Sequence, residues 1–192
     1  MRSALNVIRD EHRSLTAVLH GLWYLVDEVR EGRRKPEFTV LRAMVHYIDT
    51  FPEKLHHPKE SGYLFARLRR RTTLGRAALD QLEAEHIHGA KLIRDLEQAL
   101  LRWEMGSQQD FVAFAEEVER YVDFHRRHMQ QEEQVVLPLA ERVLTEEDWR
   151  AIDAAFAGNA DPLIAKELEK NFERLFKRIV KAPPPLGFGR EN

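Results

Sequence analysis

A chain of 192 residues with 43% hydrophobic content can fill one core, which sets the expectation of a single domain. With 30 Lys+Arg against 32 Asp+Glu the net charge is only -2, which argues against nonspecific binding to nucleic acid or acidic membranes. The absence of cysteine excludes disulfides, thiolate metal sites, iron-sulfur clusters and cysteine nucleophiles together, so any metal must be held by His and carboxylates.

The first ten residues turn basic and acidic before a signal-peptide core can form, and no apolar run approaches the ~18 residues of a membrane span. A cytoplasmic location is the expectation. From there Leu5, Ile8, His12, Leu15, Leu19, Leu22, Val26 and Val29 recur in steps of three and four, the inward seam of a bundle helix, with His12 at a core position. Glu31 to Pro36 breaks that pattern.

A second helix is predicted from about Glu37 to Arg70, with Leu41, Val45, Ile48, His56, Glu60, Leu64 and Leu68 inward. Pro52 and Pro58 make it the least regular of the set, and Pro58, between His56 and Glu60, must open or kink it. The basic run Arg67, Arg69, Arg70 and Arg71 reads as its solvated end.

The third helix, from about Thr73 to Met105, carries Leu79, Leu82, His86, Gly89, Ile93, Leu96, Leu100 and Trp103 in its seam. Gly89 either leaves room for a small molecule or allows close helix packing. Gly106 and Ser107 end that helix and cap a fourth, whose seam reads Phe111, Phe114, Val118, Tyr121, His125, His128, Glu132, Val135 and Leu139, ending near Val143. Short connections between long helices make neighbours antiparallel, so the expected fold is all-α, an up-down-up-down four-helix bundle over residues 1–144.

Thr145 with an acidic first turn then opens a shorter helix through Trp149, Ile152 and Phe156. Asp161-Pro162 begins another, carrying Leu163, Leu168, Phe172, Leu175, Phe176 and Ile179. The expectation is a helical extension over 145–182 on the same domain, then an extended tail over 183–192. Covering the bundle, gating access and making a homodimer contact are all open roles for it.

Placing the seam polars by depth brings His12, His56, Glu60, His86, His128 and Glu132 to one level, at roughly 1.5 Å per residue, about 14 to 22 Å from one end of the bundle. His56 with Glu60 and His128 with Glu132 are spaced i, i+4, which puts each pair on one helical face. Imidazole and carboxylate without thiolate suit iron, manganese or zinc, and these donors are enough for a metal pair. Without cations the layer would leave charges buried at several kcal/mol each, in a domain stable by only ~5 to 15 kcal/mol. His125 is either a further ligand or a hydrogen-bond partner of the ligands. His20, His46, His57 and His88 fall off the seams and read as surface or partly exposed, although Pro58 could shift the register and let His57 exchange roles with His56.

His12 within Ile-Arg-Asp-Glu-His-Arg-Ser-Leu, Leu-His-His-Pro-Lys-Glu at 55 to 60, Glu-His at 85 and 86, and His-Met-Gln-Gln-Glu-Glu followed by Leu-Pro-Leu-Ala together resemble the conserved blocks of the hemerythrin-like, HHE cation-binding family. The resemblance implies a di-iron centre, with His12 and His56 on one iron, His86 and His128 on the other, and Glu60 and Glu132 bridging. It differs from the oxygen carriers in two places. Ala90 stands where they have a second third-helix His, leaving either an open position or a role for His125, and Glu132 replaces an Asp one residue further on. The function implied is binding or sensing of oxygen, nitric oxide or peroxide, or iron handling; a peroxide-directed di-iron enzyme and a structural metal site are the alternatives.

Overall fold

The computed structural model describes residues 3–158, and among these every element is a helix. Helix α1 spans Ser3–Arg30 and buries Leu5, Ile8, His12, Leu15, Leu19, Leu22 and Val26, as the seam predicts. It gives way to Gly32, whose φ of 68° is one that glycine adopts without steric penalty.

The second helical stretch comprises α2 (Phe38–Ile48), a π-helical segment (Asp49–His56), α3 (His57–Lys59), a second π-helical segment (Glu60–Phe65) and α4 (Ala66–Arg71). The predicted irregularity is therefore resolved by widening the helix. Pro52 sits inside the first π segment and Pro58 at the start of α3. Bonding from i to i+5 relieves the clash of a proline ring with the carbonyl four residues back. The wider turn also brings Phe51, Pro52, Glu53, His56, His57 and Glu60 all to the inside. The basic run ends in ion pairs, Arg69 with Asp80 and Glu83 and Arg71 with Asp148.

Helix α5 (Arg76–Met105) buries Leu79, Leu82, Gly89, Ile93, Leu96, Leu100 and Trp103. Helix α6 (Gln108–Gln131) starts where the Ser107 N–H and hydroxyl both donate to Asp110, at 2.7 and 2.9 Å. A third π segment (Glu132–Val136) separates α6 from α7 (Leu137–Val143). This segment corrects the predicted seam: Val135 is 43% exposed while Val136 and Leu137 are buried, because one wide turn delays the inward face by a residue.

Helix α5 lies against α6 and α2, and α1 against α6 and α2. Helix α8 (Glu146–Phe156) packs on α1 and on the second π segment. It is pinned there by Arg71, which donates to both oxygens of Asp148 at 2.7 and 3.2 Å, and by the Ala4 N–H, which donates to Asp153 at 2.7 Å. The helix expected from Asp161 and the tail lie outside the described residues.

The apolar core divides into two clusters. One runs through Leu15 to Val26, Val40 to Phe51, Leu92 to Trp103 and Phe111 to Met129. The other takes Ala4, Leu5, Ile8, Leu64, Phe65, Leu68, Leu79, Leu82, Val136 to Leu144 and the α8 residues Trp149, Ile152 and Phe156. In every long helical stretch the gap falls at the polar seam residues: Glu11 and His12, Glu53 to Glu60, His86, and His125 to Glu132. Because α8 completes the second cluster, Trp149→Ala should destabilise the protein by about 3–5 kcal/mol, the usual effect of emptying a buried aromatic site. Urea unfolding measures it, and a loss under about 1 kcal/mol would mean that α8 is not integral to the fold.

Candidate metal centre

The structure brings all the main candidate side chains together in the gap between the two apolar clusters. On one side, the Nε2 atoms of His12 and His56 lie 3.3 Å apart. Glu60 Oε1 is 3.2 Å from His56 Nε2 and 3.9 Å from His12 Nε2, and Glu132 Oε2 is 3.3 Å from His12 Nε2. On the other side, His86 Nε2 is 3.5 Å from Glu60 Oε2 and 3.7 Å from Glu132 Oε1, and His128 Nε2 is 3.4 Å from Glu132 Oε1. Each carboxylate thus turns one oxygen toward each pair of imidazoles.

The far ring nitrogens are fixed by the protein. His12 Nδ1 meets Glu133 at 3.0 Å, His56 Nδ1 meets Glu11 at 2.6 Å, His128 Nδ1 meets Glu85 at 2.9 Å and His86 Nδ1 meets Ser61 Oγ at 2.8 Å. Such partners hold the tautomer and aim the Nε2 lone pair inward, as they do around metal-ligating histidines. Glu60 and Glu132 are fully buried, yet neither of their oxygens has a hydrogen bond, nor do Nε2 of His86 and His128. Acceptors facing acceptors in a dry interior would cost several kcal/mol, and cations at the two points of convergence would satisfy every one of these atoms. The donor set of imidazoles and carboxylates therefore fits a pair of metal ions such as iron, manganese or zinc.

The family model described as the hemerythrin HHE cation binding domain matches residues 3–140. The chain belongs to this family. No curated protein matches it. The HHE domain here carries two groups of His and Glu placed so that they could hold cations, one of His12, His56 and Glu60, the other of His57, Glu60, His86 and His128.

Without a metal, protons take the cations' place in this HHE centre. Burial pushes the His12 imidazole down, but Glu132 and Glu133 outweigh it and hold it up at about 9. His86 stands at about 9 for the same reason, burial being overcome by Glu132 and Glu60, and His56 is likewise raised, by Glu60 and Glu11. Glu60 is raised by burial and by Glu132, but its imidazole neighbours bring it down to about 2.

Of the other polar groups in the layer, the sequence reading missed Glu53, kept His57 at or near the surface unless Pro58 shifted the register, and left His125 as either a ligand or a hydrogen-bond partner. His57, expected at or near the surface, is 4% exposed, because the first π segment rotates it inward beside His56. Burial pushes its imidazole down to about 3. Glu53 accepts from Tyr121 Oη at 2.8 Å and faces His125 Nε2 and His57 Nδ1, each at 3.3 Å. His125 belongs to neither candidate cation group; burial lowers it, and it lines the Glu53 carboxylate instead. Gly89 was the one signal for Glu53 in the sequence, since a Cβ there would meet Glu53 Oε1 at 3.0 Å. Its role in the structure is this close approach.

These shifts set the pH dependence of the metal-free protein. His12 and His86 contribute stability that is complete below their ordinary value of 6.5 and lost as pH rises through about 9. His57, lowered to about 3, contributes stability that is complete above 6.5 and lost as pH falls. Glu60 adds to that acid loss, below its ordinary 4.5 and through about 2. Thermal unfolding of chelator-treated protein should therefore show its highest midpoint near pH 6.5, with decline toward pH 9. A midpoint flat from pH 6.5 to 9 would contradict the imidazole-carboxylate pairing.

Proposed function

We propose that this chain is a non-haem di-iron protein on an up-down-up-down four-helix bundle, which binds or senses oxygen, nitric oxide or peroxide, or handles iron. One observation carries the reading. Glu60 and Glu132 each divide their two oxygens between the His12/His56 side and the His86/His128 side, which is the arrangement two bridged cations require. On this reading His12 and His56 hold one ion and His86 and His128 the other, with manganese or zinc as competitors for the same donors.

When bound, a redox-active pair supplies electron transfer and a coordination position for a small ligand. The chain's own residues provide the rest. A cavity of about 640 Å³ between α1 and α6, lined by His12, Thr16, Leu19, Val122 and Met129 among others, leads from solvent to one of the imidazoles. Its lining mixes apolar side chains, Ala17, Leu19, Val122 and Met129, with polar ones such as Arg13, His20, Arg126 and Glu133, so a small uncharged ligand can pass along the apolar part. Glu11, Glu85 and Glu133 keep the ring nitrogens aimed, and the two apolar clusters exclude water from above and below.

The binding reading stands ahead of the enzyme reading, which needs a proton donor at the centre, because the two candidates, Tyr121 and His125, both face Glu53. The Tyr121 phenol donates to Glu53 and is raised well above its usual range by burial and by that carboxylate, which makes it a poor proton donor. Cytoplasmic residence remains part of the proposal; the observation beside it is that, among the described residues, no helix is long and apolar enough to cross a membrane. Association as a homodimer is likewise part of the proposal.

Freshly purified protein should contain about two iron ions per chain and show near-ultraviolet and visible absorption that changes with oxygen or azide. Joint replacement His56→Ala and Glu60→Ala should abolish metal binding, because it removes ligands from both sides of the pair. Metal content unchanged in that variant would overturn the assignment, and a colourless zinc-only protein would replace the redox role with a structural one.

A further inference from the structure

The ring nitrogens of most candidate ligands follow one pattern, with Nε2 toward the centre and Nδ1 against a carboxylate. His57 shows the second half of that pattern and sits where the first half is possible. Its Nδ1 lies 3.3 Å from Glu53 Oε2, as His56 Nδ1 lies against Glu11 and His128 Nδ1 against Glu85. Its ring is stacked on His86 with centroids 4.4 Å apart and planes within 12°, and stands edge-on to His128 at 5.3 Å. One ring nitrogen of His57, one of His86, one of His128 and an oxygen of Glu60 all lie within 4.8 Å of one another.

We propose that His57 is a further ligand of the cation held by His86 and His128, so that the centre is asymmetric, with two imidazoles on one ion and three on the other. The inference rests on the metal-pair reading above and extends it to a residue that the second-helix seam had placed outside the site. A buried imidazole in such a position either donates a hydrogen bond or offers a lone pair, and the groups around it decide between the two. The carboxylate of Glu53 accepts a hydrogen bond from Nδ1–H, which leaves Nε2 as the lone-pair nitrogen.

Glu53 is itself immobilised. Tyr121 Oη donates to its Oε1, His125 Nε2 faces the same oxygen, and the missing side chain of Gly89 leaves just enough space for the carboxylate. Three helical stretches thus converge on the carboxylate that orients this one imidazole. Helix α5 offers no competitor one turn beyond His86, since Ala90 stands there.

The test uses the full-length chain, stripped of metal and reloaded anaerobically with ferrous iron. Iron content is measured per chain, and circular dichroism records folding. His57→Ala should keep about half the iron of the wild type, whereas the joint His56→Ala and Glu60→Ala variant keeps none. His57→Gly should behave like His57→Ala and regain the lost iron when free imidazole is added, since the small ligand can enter the space of the side chain. Glu53→Gln, which leaves His57 in place and is close to isosteric, should weaken uptake of one iron by about 10- to 100-fold.

Full iron content and unchanged affinity in both His57→Ala and Glu53→Gln would overturn the assignment of His57 while leaving the metal pair intact. Wild-type protein that takes up no iron pair would instead defeat the underlying reading. Should His57→Ala lose its helical signal, the Glu53→Gln affinity alone decides: a shift supports the ligand role, and none refutes it.

Discussion

Glu60 and Glu132 face each other at the middle of the protein, each fully buried, each lacking a hydrogen bond to either oxygen, and each within reach of imidazoles on both sides. Two unneutralised carboxylates in such a place would work against folding by several kcal/mol each, comparable with the whole stability of a domain. The layer around them is organised to prevent that. His12, His56, His86 and His128 converge from α1, the second helical stretch, α5 and α6, and in the metal-free protein His12, His56 and His86 share protons with the carboxylates. Cations in the layer would take over that neutralising role, and their binding would then be coupled to folding.

The split of the core follows from the same constraint. Apolar side chains fill the volume above and below the layer, so the centre is a slab of polar groups clamped by two hydrophobic clusters. The π-helical segments belong to this construction. Asp49–His56 and Glu60–Phe65 flank the His56/Glu60 pair, and Glu132–Val136 begins at Glu132 itself. A helix that widens at a functional residue gives up regular hydrogen bonding to redirect side chains, and here it presents Glu53, His56, His57 and Glu60 to one interior.

Much of this was legible in the sequence. The step of three and four residues located each long helix to within a few positions, and it put His12, His86, His128 and Glu132 inward because each falls on an otherwise apolar seam. The i, i+4 spacing read the His56/Glu60 and His128/Glu132 pairs correctly as sharing a face. What failed to show was anything that depends on leaving the 3.6-residue period. Periodicity assigned His57 to the surface and Val135 to the core, and a π turn reversed both. The outer carboxylates Glu11, Glu85 and Glu133 each adjoin a seam residue and look like ordinary flanking charges until the third dimension places them on an imidazole. Only the proline pair hinted at the widened second helix, and only Gly89 at the carboxylate packed against it.

The most direct test of the account is diffraction from crystals of the metal-loaded protein at an absorption edge of the bound metal. The account predicts two anomalous peaks in the buried layer, one touching Nε2 of His12 and His56 and the other Nε2 of His86 and His128, each also touched by an oxygen of Glu60 and of Glu132. Peaks confined to surface carboxylates, or a layer in which these side chains close on each other around no metal, would contradict it.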